Sequence, residues 1–87
     1  MSAKDVADWM VAESKKAYWL YQETVVYNIQ RLFGAEYVYL NQNGNLAISK
    51  AVLKEFRKLT EDTLVWERGE RAWRPRKPHE TKRQVDD

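Results

Sequence analysis

Cysteine is absent from these 87 residues, so neither a disulfide nor a thiolate metal site can hold the fold, and nothing demands an oxidising compartment. A cytoplasmic location is the expectation. Histidine occurs once, as His79 in a charged, proline-containing stretch, where no rigid neighbour could orient it as a general base or as a nucleophile's partner. A transition-metal site would have to be built from carboxylates alone, and no two of them stand at ligand spacing on a rigid element. The three glycines lie apart at 34, 44 and 69, which rules out a phosphate-cradling loop. Neither an enzyme nor a cofactor or metal is expected. No apolar run approaches membrane-spanning length, and Met1-Ser2-Ala3-Lys4-Asp5 lacks the basic region and apolar run of a secretory signal.

Large aromatics, by contrast, are plentiful. Four Trp and five Tyr in a chain near the lower size limit for a single unaided core predict a small domain built from few, bulky pieces. Charge is segregated. Residues 49–77 carry nine Lys and Arg against five Asp and Glu, a net +4, whereas 1–48 and 78–87 each come to −1. Such a segment points to an anionic partner better than the overall +2 does.

Ser2 and Asp5 have capping-box spacing, with Asp in place of the usual Glu or Gln, and open a helix predicted near 3–16. Tyr18-Trp19-Leu20-Tyr21 follows without a clear period, and either adds a short strand or begins the next helix. Val25, Val26, Ile29, Leu32 and Phe33 then sit at helical spacing, with Glu23 near the favourable N-terminal dipole and Gly34 ready to terminate, so a second helix is predicted at 22–33. Tyr37-Val38-Tyr39-Leu40 and Leu46-Ala47-Ile48 flank a segment dense in turn formers around Asn43-Gly44, which suggests a small central hairpin at 37–48.

From Ser49 onward the pattern changes. Val52, Leu53, Phe56 and Leu59 gather on one side of a helix predicted at 49–60 with Ser49 as N-cap, while Lys50, Lys54, Arg57 and Lys58 gather on the other. A β-ribbon is predicted at 63–74, turning at Arg68-Gly69. A two-residue loop would set Glu67 against Glu70, so a three-residue loop 67–69 with left-handed Gly69 is preferred. That register pairs Leu64 with Ala72 and Val65 with Arg71, and points Trp66 and Trp73 to opposite faces. A helix running into a charged hairpin is the chain order of a winged helix-turn-helix, although the connection of about fifteen residues before it is far longer than an ordinary turn. The reading is an α+β domain over 1–76, with three helices and a C-terminal hairpin, and a disordered charged tail at 77–87.

Two binding functions fit. In the first, Lys50, Lys54, Arg57 and Lys58 on the helix and Arg68, Arg71 and Arg74 on the ribbon neutralise DNA phosphates. Little base readout is expected, because only Ser49, Lys50 and Lys54 stand at the helix front. Lysines opposite an apolar stripe are also what any soluble amphipathic helix presents. In the second, Trp9, Tyr18, Trp19 and Tyr21 form a surface for another protein or for a homodimer, unless these rings belong to the core.

The runs Leu20-Tyr21-Gln22-Glu23, Asn43-Gly44-Asn45-Leu46-Ala47-Ile48, Val52-Leu53-Lys54-Glu55-Phe56-Arg57-Lys58-Leu59-Thr60 and Val65-Trp66-Glu67-Arg68-Gly69-Glu70-Arg71-Ala72-Trp73-Arg74 resemble a family of small, uncharacterised, winged-helix-like bacterial and phage proteins. The resemblance covers nearly everything from Asp5 to Arg74. It implies a fold and a prokaryotic setting, and carries no activity, ligand or functional residue.

Overall fold

Ser2 and Asp5 close the capping box reciprocally: the Asp5 N–H donates to Ser2 Oγ at 3.2 Å and the Ser2 N–H to Asp5 Oδ2 at 2.9 Å. The computed structural model, which describes residues 2–77, runs helix α1 from there over Ala3–Ser14. The aromatic segment resolves as a strand, β1 (Leu20–Tyr21), and helix α2 (Gln22–Phe33) follows without a break. Gly34 ends α2 at φ 105° and ψ 166°, a region essentially closed to L side chains. A 3-10 turn (Ala35–Tyr37) leads into the hairpin of β2 (Val38–Leu40) and β3 (Leu46–Ile48). Its loop is organised by Asn41, whose Oδ1 accepts from the N–H groups of Asn43 and Asn45 at 2.9 and 3.1 Å. Positive φ falls on Gly44 alone, at 80°, and not on Asn43.

Helix α3 (Lys50–Thr60) begins at the Ser49 cap, whose Oγ accepts from the Val52 N–H at 3.3 Å. Strands β4 (Leu64–Glu67) and β5 (Ala72–Pro75) complete an antiparallel sheet in the order β1-β5-β4. The result is a mixed α+β fold of three helices and two small antiparallel sheets. Pro75 lies two residues beyond the last β5 residue paired with β1, where a missing N–H costs the sheet nothing.

The ribbon differs from the expected register. Leu64 faces Pro75, Val65 faces Arg74, Trp66 faces Trp73 and Glu67 faces Ala72, leaving a four-residue loop at 68–71. The Arg71 N–H donates to the Arg68 carbonyl at 3.2 Å, and Arg71 takes the left-handed conformation at φ 51°, a role expected of Gly69. A turn closed between residues 68 and 71 needs the reversal at its last residue, so Gly69 is at an ordinary φ. Trp66 and Trp73 consequently share one face, as a directly opposed pair with ring centroids 4.7 Å apart. Replacing Arg71 with glycine should relieve the left-handed penalty of about 1–2 kcal/mol but add unfolded-chain entropy of about 0.5–1 kcal/mol. A net stabilisation of about 0.5–1 kcal/mol is expected in urea denaturation, and a destabilisation would show that the Arg71 side chain holds the loop.

The core gathers Val6, Ala7 and Met10 of α1, Val25, Val26 and Ile29 of α2, Val52 and Phe56 of α3, and Leu20, Leu64, Trp66 and Trp73 of the sheet, with Tyr37 and Ile48 beside them. Phe56 meets Trp73 edge to face at 5.1 Å. Helix α1 packs chiefly on α3, whereas α2 packs on the 3-10 turn and on β3. Two residues expected in apolar stripes are instead exposed: Leu59 at 41% and Leu32 at 50%. On α3 the buried place is taken by Thr60, whose hydroxyl donates to the Phe56 carbonyl at 2.8 Å and is thereby satisfied. The tail expected from residue 77, His79 included, lies outside the described residues apart from Lys77 itself.

Candidate nucleic-acid interface

Val52, Phe56 and Thr60 turn inward from α3. At about 100° per residue the opposite side must then carry Lys50, Lys54, Arg57 and Lys58, and all four are exposed. The acid on this helix, Glu55, is held one turn from Lys58 at 3.5 Å, which leaves Lys50, Lys54 and Arg57 without an ion-pair partner among the described residues. The Ser49 oxygen is engaged as the cap, accepting from the Val52 N–H.

The ribbon shows the same division of labour. Arg74 Nη2 lies 2.9 Å from Glu67 Oε1, and Nε donates to the same oxygen at 3.2 Å. Arg74 is mostly buried, and its guanidinium also donates to the Pro75 carbonyl, so it neutralises Glu67 on the sheet face it shares with Val65, its cross-strand partner. Arg68 and Arg71 remain exposed at the two ends of the loop. The Arg71 carbonyl accepts from the Gln22 N–H at 3.0 Å, a bond that ties the root of the ribbon to the first turn of α2. Arg71 also lines an open cleft of about 770 Å³ between the start of α2, with Gln22, Glu23 and Tyr27, and the β2–β3 hairpin, with Leu40 and Leu46.

The four aromatic residues proposed as a separate surface do not stay together. Tyr18, Trp19 and Tyr21 form a chain of rings, with centroids 5.3 and 6.2 Å apart, and Tyr18 and Tyr21 are exposed. Trp9 instead meets Phe33 edge to face at 5.5 Å and packs against the core. Tyr37, close to the chain's first turn, keeps its phenol protonated above the ordinary range, chiefly because burial disfavours the phenolate, with the Glu36 and Asp5 carboxylates adding to the effect. Among the described residues no helix is long and apolar enough to cross a membrane.

The profile of a family of unknown function, DUF6953, matches residues 2–75. The chain belongs to the DUF6953 family. That span takes in every described helix and strand of the protein, so the family is defined on the whole of this fold. Neither the curated proteins nor the solved structures provide a match to this DUF6953 chain.

Sequence reasoning missed the exposed leucines of the DUF6953 hairpin. Leu40 is 67% exposed, with Leu46 beside it, and Tyr39, one of the aromatics in excess of what the core could enclose, is 41% exposed on the opposite face of β2. The signal was present: the strand 38–40 carries no charge on either face, and no residue that would discourage pairing at its edge.

Proposed function

We propose that this DUF6953 protein is a non-enzymatic, winged-helix-type domain that binds duplex DNA through its phosphates, using α3 and the β4–β5 loop. The pairing of β1 with β5 beside β4, in a chain that runs helix, strand, helix, helix, strand, strand around an inserted hairpin, supports the winged-helix assignment. The observation that carries the DNA reading is the excess of cations over the acids left among them. Glu55 and Glu67 are each held by a local cation, Glu70 stands exposed and without an ion pair among the described residues, and Lys50, Lys54, Arg57, Arg68 and Arg71 outnumber it. Because α2 packs on the hairpin instead of seating α3, and Ser49 is a cap, binding is directed to phosphates with little sequence preference.

Titrating a labelled duplex at rising salt tests this. Each neutralised phosphate contributes about 0.9 to the slope of log affinity against log salt, so five cations set an upper bound of about 4.5. Lys54→Glu combined with Arg57→Glu should lower that slope by about 2 and weaken binding at least tenfold at about 50 mM salt, equally for unrelated sequences. Absence of binding by the folded wild type at that salt, or a slope indifferent to the double reversal, would remove the proposal. A second reading, a protein-docking module, is favoured by the contiguous rings of Tyr18, Trp19 and Tyr21. Under that reading Tyr18→Ala with Tyr21→Ala abolishes partner capture and leaves any DNA binding intact.

A further inference from the structure

The β2–β3 sheet has only two strands, and an isolated pair is marginal in water. Its hydrogen-bonding phase can be read from its ends. The Ser49 N–H donates to the Tyr37 carbonyl and the Asn41 N–H to the Asn45 carbonyl, both at 2.9 Å. Pairs 37/49 and 41/45 are thus hydrogen-bonded, and with them, by the alternation of an antiparallel ladder, 39/47. Val38 and Leu40, opposite Ile48 and Leu46, therefore turn their peptide groups away from β3. The Val38 N–H is engaged by the Ala35 carbonyl. What the outer edge of β2 offers is one donor, the Leu40 N–H, and two acceptors, the Val38 and Leu40 carbonyls.

We propose that this edge pairs with the same edge of a second copy, joining two hairpins into a four-stranded antiparallel sheet about a twofold axis at Tyr39. An antiparallel pair centred on a non-hydrogen-bonded residue needs one donor after that residue and one acceptor before it on each strand. Those are the Leu40 N–H and the Val38 carbonyl, so the edge is complementary to itself. Tyr39 faces Tyr39 of the second copy, and Leu40 lies beside the second copy's Val38. Flanking charges do not oppose this register, since Glu36 falls opposite the second copy's Gln42 and not opposite another acid. The engaged Val38 N–H stops the pairing at two bonds, which suits a twofold contact better than a long foreign strand. Of the other outer edges among the described strands, that of β4 lacks the feature: Leu64, Val65 and Trp66 are buried. With so short an edge and few exposed apolar side chains, the dimer is concentration-dependent. It stands independently of the DNA reading.

Sedimentation of the full chain from tens of micromolar to about 1 mM tests it. The apparent mass should double across that range. In parallel, the Leu40 amide should become slower to exchange with deuterium as concentration rises, with the already bonded Val38 amide as internal control. Leu40→Pro removes the outward donor and no bond of the hairpin, so it should stay monomeric with an unchanged far-UV spectrum. Tyr39→Lys, which sets like charges against each other on the axis, should do the same and decides the matter if the proline variant does not fold. A wild type that stays monomeric throughout, or a folded Leu40→Pro or Tyr39→Lys that dimerises as the wild type does, would overturn the pairing.

Discussion

Trp73→Ala is expected to lower stability by about 3–5 kcal/mol, enough to leave much of the protein unfolded at 37 °C, because a domain of this size has about 4–13 kcal/mol in all. The ring lies on the central strand of the three-stranded sheet, 5% exposed, with Phe56 at 5.1 Å on one side and Trp66 at 4.7 Å on the other. It joins the inner sheet face to α3, and α3 in turn carries α1. Truncation opens a cavity bounded by two rigid rings, which cannot collapse as flexible aliphatic chains would. Urea denaturation followed by far-UV circular dichroism gives the number. Phe56→Ala should cost a similar amount, and the two together less than their sum, by about 0.5–3 kcal/mol, since each removes the other's partner. A Trp73→Ala loss below about 1 kcal/mol would mean that the three packed rings do not form the centre of the fold.

That ring cluster shows where sequence reasoning succeeds and where it stops. The extents of α2 and α3, the caps at Ser2 and Ser49 and the hairpin before α3 were all legible. Each depends on residues a few positions apart, where spacing alone decides which side chains and backbone groups meet. The ribbon after α3 was legible too, but its register was not. Its register was argued from Glu67 and Glu70 and from the assumption that a glycine takes the positive φ. Arg71 takes it instead, the loop is one residue longer and lies further along the chain, and Leu64 faces Pro75 in place of Ala72, so both tryptophans fall on the same face. Because side chains alternate along a strand, any odd shift of register exchanges its faces, so a small error about the turn became a large one about the core.

The candidate site divides along the same line. The cations could be named from helical periodicity, and so could Glu55 with Lys58, three residues apart. The Glu67–Arg74 pair could not, because it exists only in the observed register. Leu59 and Leu32 were assigned to the core by period, yet both lie near a helix C-terminus, where the described residues leave them largely exposed.

Gly34→Ala should destabilise the protein by about 1–3 kcal/mol, and the cause can be isolated. At φ 105° and ψ 166° the residue turns the chain out of α2 into the 3-10 turn, while its N–H donates to the Ile29 and Gln30 carbonyls at 3.2 Å each. A Cβ built there meets nothing within 4 Å, so no side-chain clash contributes and the cost is conformational. A D-alanine at position 34, introduced by chemical synthesis, makes the distinction. Its allowed region is the mirror image of the L-residue's, which places φ 105° and ψ 166° in its extended basin. D-Ala should leave stability unchanged or raise it by about 0.4–1 kcal/mol through a stiffer unfolded chain. If L- and D-alanine destabilise alike in thermal melts, backbone handedness at Gly34 is not what delivers the chain to β2. If only the L-form does, this glycine fixes the angle at which the hairpin leaves α2, and with it the presentation of the Leu40 edge.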